Sequence, residues 1–118
     1  MKKILIVDDE EDIRDLYASE LVDEGFSTHS VESGEDALRF LESGPRVDLV
    51  ILDIKMGQMD GLHLLEELRN KISDVPVILN SAYSTYKNNF TSWLADAYLV
   101  KSADLTELKN QVKELLSN

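Results

Sequence analysis

Carboxylates follow two of the most apolar stretches of this chain. Asp8 and Asp9 come directly after the aliphatic run 4–7, and Asp53 ends the run 49–53. Short aliphatic runs bounded by turn residues are typical of strands buried on both faces of a parallel sheet. Ligands of such sheets bind at the carboxyl ends of the strands. If the two strands are neighbours, we expect the three carboxylates to converge on one small volume.

Carboxylates this close oppose folding unless a cation offsets their charge, because like charges raise one another's pKa. Mg²⁺ takes oxygen ligands and commonly uses one or two carboxylates together with water and phosphate oxygens. Ser81 and Lys101 follow two further aliphatic runs, so a hydroxyl and an ammonium are expected at the same edge. A nucleophilic carboxylate beside a cation site, a hydroxyl and an ammonium form a set for transferring a phosphoryl group onto Asp53.

The elements that must position these residues alternate along the chain. Five stretches predict strands: residues 4–7, 26–31, 49–53, 77–79 and 97–100. Apolar residues at helical spacing predict five helices that alternate with them. This alternation predicts an α/β fold, with a doubly wound parallel sheet of five strands and helices on both faces. The second strand is polar enough for an edge, which favours the strand order 2-1-3-4-5.

Several residues predict where the helices begin and end. Ser33 is expected to cap the second helix and Asp60 the third, which then begins at Gly61. Asp104 with Glu107 is expected to form a capping box for the last helix. Gly25 stands where the glycine after a helix C-terminus belongs.

Apolar stripes mark the inner faces of the helices. In the first helix, over residues 11–24, the stripe comprises Ile13, Leu16, Tyr17 and Leu21. In the fourth it comprises Tyr86, Phe90, Trp93 and Leu94. The other residues of the fourth helix are weak helix formers, so it is predicted to be the least stable of the five.

Composition limits the classes of function. A length of 118 residues predicts one domain over residues 1–118, and the chain has no cysteine for disulfides or thiolate metal sites. Acidic residues outnumber basic residues 23 to 12, a formal charge of -11, so we expect no direct nucleic-acid binding and no membrane association. The apolar run after Met1-Lys2-Lys3 is too short for a signal peptide, which favours a cytoplasmic protein.

Taken together, these motifs resemble those of response-regulator receiver domains over essentially the whole chain. The segments that carry the resemblance are Val7-Asp8-Asp9-Glu10, Leu52-Asp53, Met59-Asp60-Gly61, Ser81-Ala82 and Tyr98-Leu99-Val100-Lys101. The resemblance implies a flavodoxin-like sheet and a phosphoacceptor in a two-component system. It also implies that a histidine kinase or phosphotransfer protein phosphorylates Asp53.

The resemblance further implies a Mg²⁺ site. Asp9 and Asp53 would bind the ion together with the backbone carbonyl of Lys55, while Asp8 would act directly or through water. Such a domain is a signalling domain that assists its own phosphorylation and dephosphorylation, and not a classical enzyme.

The resemblance also implies that two residues rearrange when the domain is phosphorylated. Ser81 and Tyr98 stand where the family rearranges on phosphorylation. Lys101, in the last segment of the resemblance, is expected to take one oxygen of the phosphoryl group. A downstream protein is expected to bind the surface formed by helix four, strand five and helix five.

The chain departs from the family at two positions where proline is usual. Gly57 stands four residues after the acceptor, and Ser102 follows Lys101. A cis peptide bond before a residue other than proline costs about 3 to 4 kcal/mol. We therefore predict a trans bond between Lys101 and Ser102.

Two other functions stay open on the sequence alone. A degenerate receiver would serve as a protein-interaction module that is never phosphorylated, although such modules usually lack one of the acids. A phosphatase like the haloacid dehalogenases also uses an aspartyl nucleophile, and Asp8 with Glu10 faintly resembles its acid pair, but the chain is short for that class.

Overall fold

The computed structural model of this chain describes residues 1–54, 60–72, 74–81 and 95–117. Side chains are not described for Ile54 and for residues 60–64. The predictions made for Lys55, for Gly57 and for the fourth helix of the sequence analysis lie outside the described residues.

Strands and helices alternate through the described residues. The strands are β1 (Lys3–Val7), β2 (Ser27–Val31), β3 (Leu49–Ile54), β4 (Val77–Ser81) and β5 (Ala97–Val100). The helices are α1 (Glu11–Asp23), α2 (Gly34–Ser43), α3 (Asp60–Lys71) and α4 (Thr106–Leu115). Helix α4 is therefore the last of the five helices predicted from the sequence.

The five strands form one parallel sheet in the order β2-β1-β3-β4-β5, as predicted. Strand β2 lies at the edge, and its residues are exposed or only half buried, which agrees with its polar sequence. The order reverses between β1 and β3, so the binding crevice expected for this fold lies at the carboxyl ends of those strands.

Two apolar clusters cover the two faces of the sheet. The first apolar cluster packs α2 and α3 against one face and includes Leu5, Val7, Ala37, Val50, Leu52, Leu65, Leu68, Val77 and Leu79. The second apolar cluster packs α1 and α4 against the other face and includes Ile4, Ile6, Tyr17, Leu21, Leu49, Ile51, Ile78, Leu99, Leu108 and Val112. Successive residues of a strand point to opposite faces, so alternate residues of β1, β3 and β4 enter different clusters.

The inner face of α1 is narrower than the sequence predicted. Tyr17 and Leu21 are 2% and 1% exposed, whereas Leu16 is 41% exposed. Residues four apart lie above one another on a helix, while adjacent residues are turned by about 100°. The placement of Leu16 in the buried stripe was therefore wrong.

Two of the predicted helix ends are confirmed. The hydroxyl of Ser33 accepts a hydrogen bond from the backbone N–H of Asp36 at 3.1 Å and so caps α2. Gly25 follows α1 with a φ of 98°, a left-handed conformation that glycine adopts without steric cost.

The capping box predicted for the last helix was wrong. Helix α4 begins at Thr106, and the Asp104 carboxylate accepts bonds from the backbone N–H of Thr106 at 2.9 Å and from its hydroxyl at 2.6 Å. Aspartate readily forms such a local turn with the residue two positions on. This turn occupies the oxygen that would have capped the N–H of Glu107.

Helix α3 begins at Asp60, one residue before the predicted start.

Among the described residues, no helix is both long enough and apolar enough to cross a membrane.

Candidate functional site

The Lys101 ammonium joins the carboxyl ends of β1 and β3. Its nitrogen lies 3.0 Å from Asp8 Oδ2 and 2.8 Å from Asp53 Oδ1. The side chains of Asp8, Asp53 and Lys101 are 3%, 8% and 16% exposed. The three groups therefore form a nearly buried ion cluster at the topological switch of the sheet.

Backbone hydrogen bonding brings Lys101 to this cluster. Its N–H donates to the carbonyl of Ser81 at 2.6 Å, which extends the β4–β5 ladder by one position. No cis peptide bond occurs among the described residues, so the bond between Lys101 and Ser102 is trans, as predicted. The lysine thus reaches the acids without the proline that usually follows it in the family.

Three contacts fix Asp8. Its backbone N–H donates to the carbonyl of Val31 at 3.2 Å, and Arg14 Nη1 donates to its carbonyl at 2.8 Å. Its Oδ1 accepts from the backbone N–H of Glu10 at 2.9 Å. The other carboxylate oxygen, Oδ2, is the one that contacts Lys101.

The pKa of both members of the central ion pair is raised, for different reasons. Burial raises the pKa of Asp53, and its hydrogen bond from Lys101 offsets only part of that rise. Burial by itself lowers the pKa of Lys101, but hydrogen bonds to Asp53 and Asp8 outweigh it and raise the pKa above its ordinary value. Lys101 is therefore an ammonium at neutral pH, beside a carboxylate that is more basic than usual.

An acidic group beside Asp8 offers oxygens that could hold a metal ion. Carboxylate oxygens of Asp8, Asp9 and Glu10 all lie within 4.8 Å of one another. Hard oxygen donors of this kind suit Mg²⁺. Glu10 was not among the ligands predicted from the sequence, although it follows Asp8 and Asp9 directly. The carbonyl of Lys55, the remaining predicted ligand, lies outside the described residues.

Ser81 and Tyr98 lie toward the opposite face of the sheet. Ser81 is fully buried at the end of β4, and Tyr98 packs against the first apolar cluster. In the sheet Tyr98 pairs with Leu79, and Ser81 pairs with Val100. Because strand residues alternate, Ser81 and Tyr98 face the same side, which is not the side of Asp53.

Sequence reasoning missed a buried polar pair next to the ion cluster. Asn80 Nδ2 donates to the Tyr17 hydroxyl at 2.5 Å, and the two residues are 3% and 2% exposed. Burial raises the pKa of Tyr17, so its phenol stays protonated at neutral pH. The available signal was an asparagine directly after three aliphatic residues of a buried strand.

Comparison with known proteins places this geometry in a family. Residues 4–113 match the family described as response regulator receiver domain. The structure resembles response regulator protein TrrA from Thermotoga maritima in complex with Mg²⁺-BeF, with a TM-score of 0.91 and 49% identity over 98% of this chain and 100% of that one. It also resembles TrrA in its complex with histidine kinase ThkA, with a TM-score of 0.89 and 49% identity over 98% of this chain and 99% of that one.

Curated relatives are mostly longer proteins. Regulatory protein AtoC of Escherichia coli is 36% identical over 119 residues, which cover 98% of this chain and 25% of AtoC. The chain spans about half or less of the length of the curated relatives that it matches.

Proposed function

This chain belongs to the response regulator receiver domain family, and we propose that it accepts a phosphoryl group on Asp53 within a two-component signalling system. The observation that carries this proposal is the Lys101 ammonium, held between the buried carboxylates of Asp8 and Asp53. Receiver domains are signalling domains and not classical enzymes. We take residues 1–118 as one such domain.

The proposed step moves one phosphoryl group from a phosphohistidine to Asp53. A carboxylate oxygen of Asp53 attacks phosphorus, the new P–O bond forms, and the P–N bond breaks. The imidazole nitrogen leaves with the electron pair and takes up a proton. Phosphoryl transfer needs little from a protein beyond alignment and neutralisation of the phosphoryl oxygens. Lys101 would neutralise one oxygen. The Ser81 hydroxyl, at the end of β4 on the other face of the sheet, would have to turn toward the crevice to donate to another.

Mg²⁺ is the proposed cofactor, held by Asp8, Asp9, Asp53 and the carbonyl of Lys55. When bound, it would neutralise charge on the phosphoryl oxygens. Two observations support it: the close acidic oxygens beside Asp8 and the Mg²⁺-BeF complex of the similar protein TrrA.

The proposed partners are a histidine kinase or phosphotransfer protein and a downstream protein. The complex between ThkA and TrrA supports a kinase partner for a chain of this similarity. We propose that the downstream protein binds the surface of the predicted fourth helix, β5 and α4, with Ser81 and Tyr98 as the switching residues. The expectations of no direct nucleic-acid binding, no membrane association and a cytoplasmic location stay predictions.

Phosphorylation of the purified chain tests the proposal. The chain is incubated with acetyl phosphate and Mg²⁺, and its intact mass is measured. We expect one added phosphoryl group on the wild type and on Asp15→Asn, a control in which an exposed acid of α1 is neutralised. We expect none on Asp53→Asn.

Two results would overturn the assignment to Asp53. They are an unlabelled wild type with every donor tried, and equal labelling of Asp53→Asn. Either would favour the alternative of an interaction module that works without phosphorylation. The other alternative, a haloacid-dehalogenase-like phosphatase, is set aside because the receiver family matches residues 4–113.

A further inference from the structure

Tyr17 and Asn80 form a buried polar contact that the proposed chemistry does not use. The amide nitrogen of Asn80 lies 2.5 Å from the phenol oxygen of Tyr17. Tyr17 belongs to the second apolar cluster, and the other buried members of that cluster are aliphatic. Burying an amide and a phenol there is unfavourable unless they bond to each other, whereas two apolar side chains of similar shape would fill the space without that cost. A polar pair at this place therefore calls for a role beyond packing.

The pair connects α1, which follows Asp8 and Asp9, with β4, which lies beside Asp53. Asn80 lies in β4 beside Asp53 of β3 on one side and beside Leu99 of β5 on the other. By strand alternation, Asn80 and Asp53 point to the same face of the sheet. Tyr17 belongs to α1, which begins at Glu11, directly after Asp8, Asp9 and Glu10. The hydrogen bond thus ties the helix that follows the acids to the strand beside the acceptor.

Packing does not enclose this pair on every side. A cavity of about 300 Å³ lies between the pair and the β5–α4 connection, with Ser102, Asp104 and Thr106 in its wall. A side chain that borders open space is less constrained by its neighbours than one surrounded by packed atoms. The hydrogen bond therefore adds to packing in holding Asn80 against Tyr17.

The charged groups of the site lie within electrostatic reach of the phenol. Lys101 acts to lower the pKa of Tyr17, while Asp8 and Asp53 act to raise it.

We propose that Tyr17 and Asn80 are positioning residues that hold α1, and with it Asp8 and Asp9, at a fixed distance from Asp53. Neither residue touches the phosphoryl group in this role. The inference rests on the proposed function, since its purpose is to align the acids for Mg²⁺ and for phosphoryl transfer. Loss of the hydrogen bond would let α1 move relative to β4 and would spread the acidic oxygens over several arrangements.

A double replacement separates positioning from simple packing. Tyr17→Phe keeps the ring but leaves the buried Asn80 amide without its partner, so we expect the melting temperature to fall by about 5 °C. Tyr17→Phe combined with Asn80→Leu replaces the pair by apolar side chains of similar shape, so we expect the melting temperature to recover. We expect Mg²⁺ affinity, measured by calorimetry, and the rate of labelling by acetyl phosphate to stay about tenfold below wild type in the double variant.

A control in the same cluster accounts for general loss of stability. Val112 lies in α4, and the replacement Val112→Ala removes buried methyl groups without removing a hydrogen bond. It should lower the melting temperature and leave Mg²⁺ affinity unchanged. A double variant with wild-type melting, Mg²⁺ affinity and labelling rate would show that the pair only fills the core, and would overturn the inference. A wild type that takes no phosphoryl group would overturn the proposed function instead, while the Mg²⁺ affinities of the variants would still decide the role of the pair.

Discussion

Lys101 balances the charge of two carboxylates that are almost entirely removed from water. Asp8 and Asp53 are only 3% and 8% exposed, and both contact its ammonium. Removing one partner of a buried ion pair costs about 3 to 5 kcal/mol, because the remaining charge is left uncompensated. A divalent cation bound by the same acids would compensate them in its place.

Replacement of Lys101 by methionine tests this balance. Lys101→Met should lower the free energy of unfolding by about 3 kcal/mol without Mg²⁺, and Mg²⁺ should restore more stability to the variant than it adds to the wild type. Urea unfolding with EDTA and with excess Mg²⁺ measures both effects. Lys2→Met, at an exposed position, should behave as wild type. If Lys101→Met lowered the free energy of unfolding equally with EDTA and with Mg²⁺, Mg²⁺ would not bind the carboxylates that contact Lys101.

Among individual residues, the sequence predicts the positions of the charged groups of the site better than the contacts of their neutral neighbours. Asp8, Asp53 and Lys101 could be placed together because each stands at or just after the carboxyl end of a strand, and parallel strands end at the same edge. The pairing of Tyr17 with Asn80 could not be predicted, because it depends on how α1 is rotated against β4. The spacing of apolar residues fixes that rotation only roughly, as the exposure of Leu16 also shows.

The start of α2 depends on one hydroxyl. Ser33→Ala removes the acceptor for the Asp36 N–H and should lower the free energy of unfolding by about 1 kcal/mol. Ser43→Ala is the matched control, because its hydroxyl donates to the Arg39 carbonyl at the exposed end of the same helix. It should change stability by less than about 0.5 kcal/mol. Equal effects of the two replacements in urea unfolding would argue against a specific capping role.

The predicted fourth helix gives a test of switching. Trp93 is the only tryptophan in the sequence and lies outside the described residues. If Ser81 and Tyr98 rearrange when a phosphoryl group binds, the populations of two packings should shift near this helix. We expect the Trp93 emission to change when beryllofluoride is added to the Mg²⁺-loaded protein, and to stay constant in Asp53→Asn. Constant emission in the wild type as well would count against this surface as the switch.

Element order could be predicted because aliphatic runs alternate with apolar residues at helical spacing along the chain. The polar sequence of β2 agrees with its place at the edge, and strands that follow one another in sequence are usually neighbours in a sheet. The start of the last helix was predicted wrongly because two local hydrogen-bonding patterns compete for one carboxylate. Sequence spacing allows Asp104 either pattern, and the structure has the turn to Thr106.

Ion pairs join α4 to α1 and to the residue just after it. Lys109 contacts Glu20 at 2.5 Å, and Lys113 contacts Glu24 just after α1. The hydrogen bond from Lys113 lowers the pKa of Glu24. A carboxyl whose folded pKa is lowered contributes stability above its ordinary pKa, and loses it as pH falls through the folded pKa.

The stability of the whole molecule should therefore depend on this pair only when Glu24 is ionised. Lys113→Met should unfold at a lower urea concentration than wild type at pH 7, and the gap should narrow as pH falls through the folded pKa of Glu24, because protonation of Glu24 removes the ion pair. Urea midpoints measured across this range give the comparison, with Lys2→Met as the control. A gap that does not change with pH would assign the loss to the methylene packing of Lys113 and not to its charge.

The alternation of residues along β4 also bears on how such a protein can evolve. Asn80 points toward the second apolar cluster and the ion cluster, while Ser81, the next residue, points toward the first apolar cluster and Tyr98. Under the roles proposed above, mutations around Asn80 would change the alignment of the acids, and mutations around Tyr98 would change the surface that a partner meets. After gene duplication, two copies with these roles could change their phosphoryl chemistry and their partner surface by different mutations, because the residues concerned lie on opposite faces of the sheet.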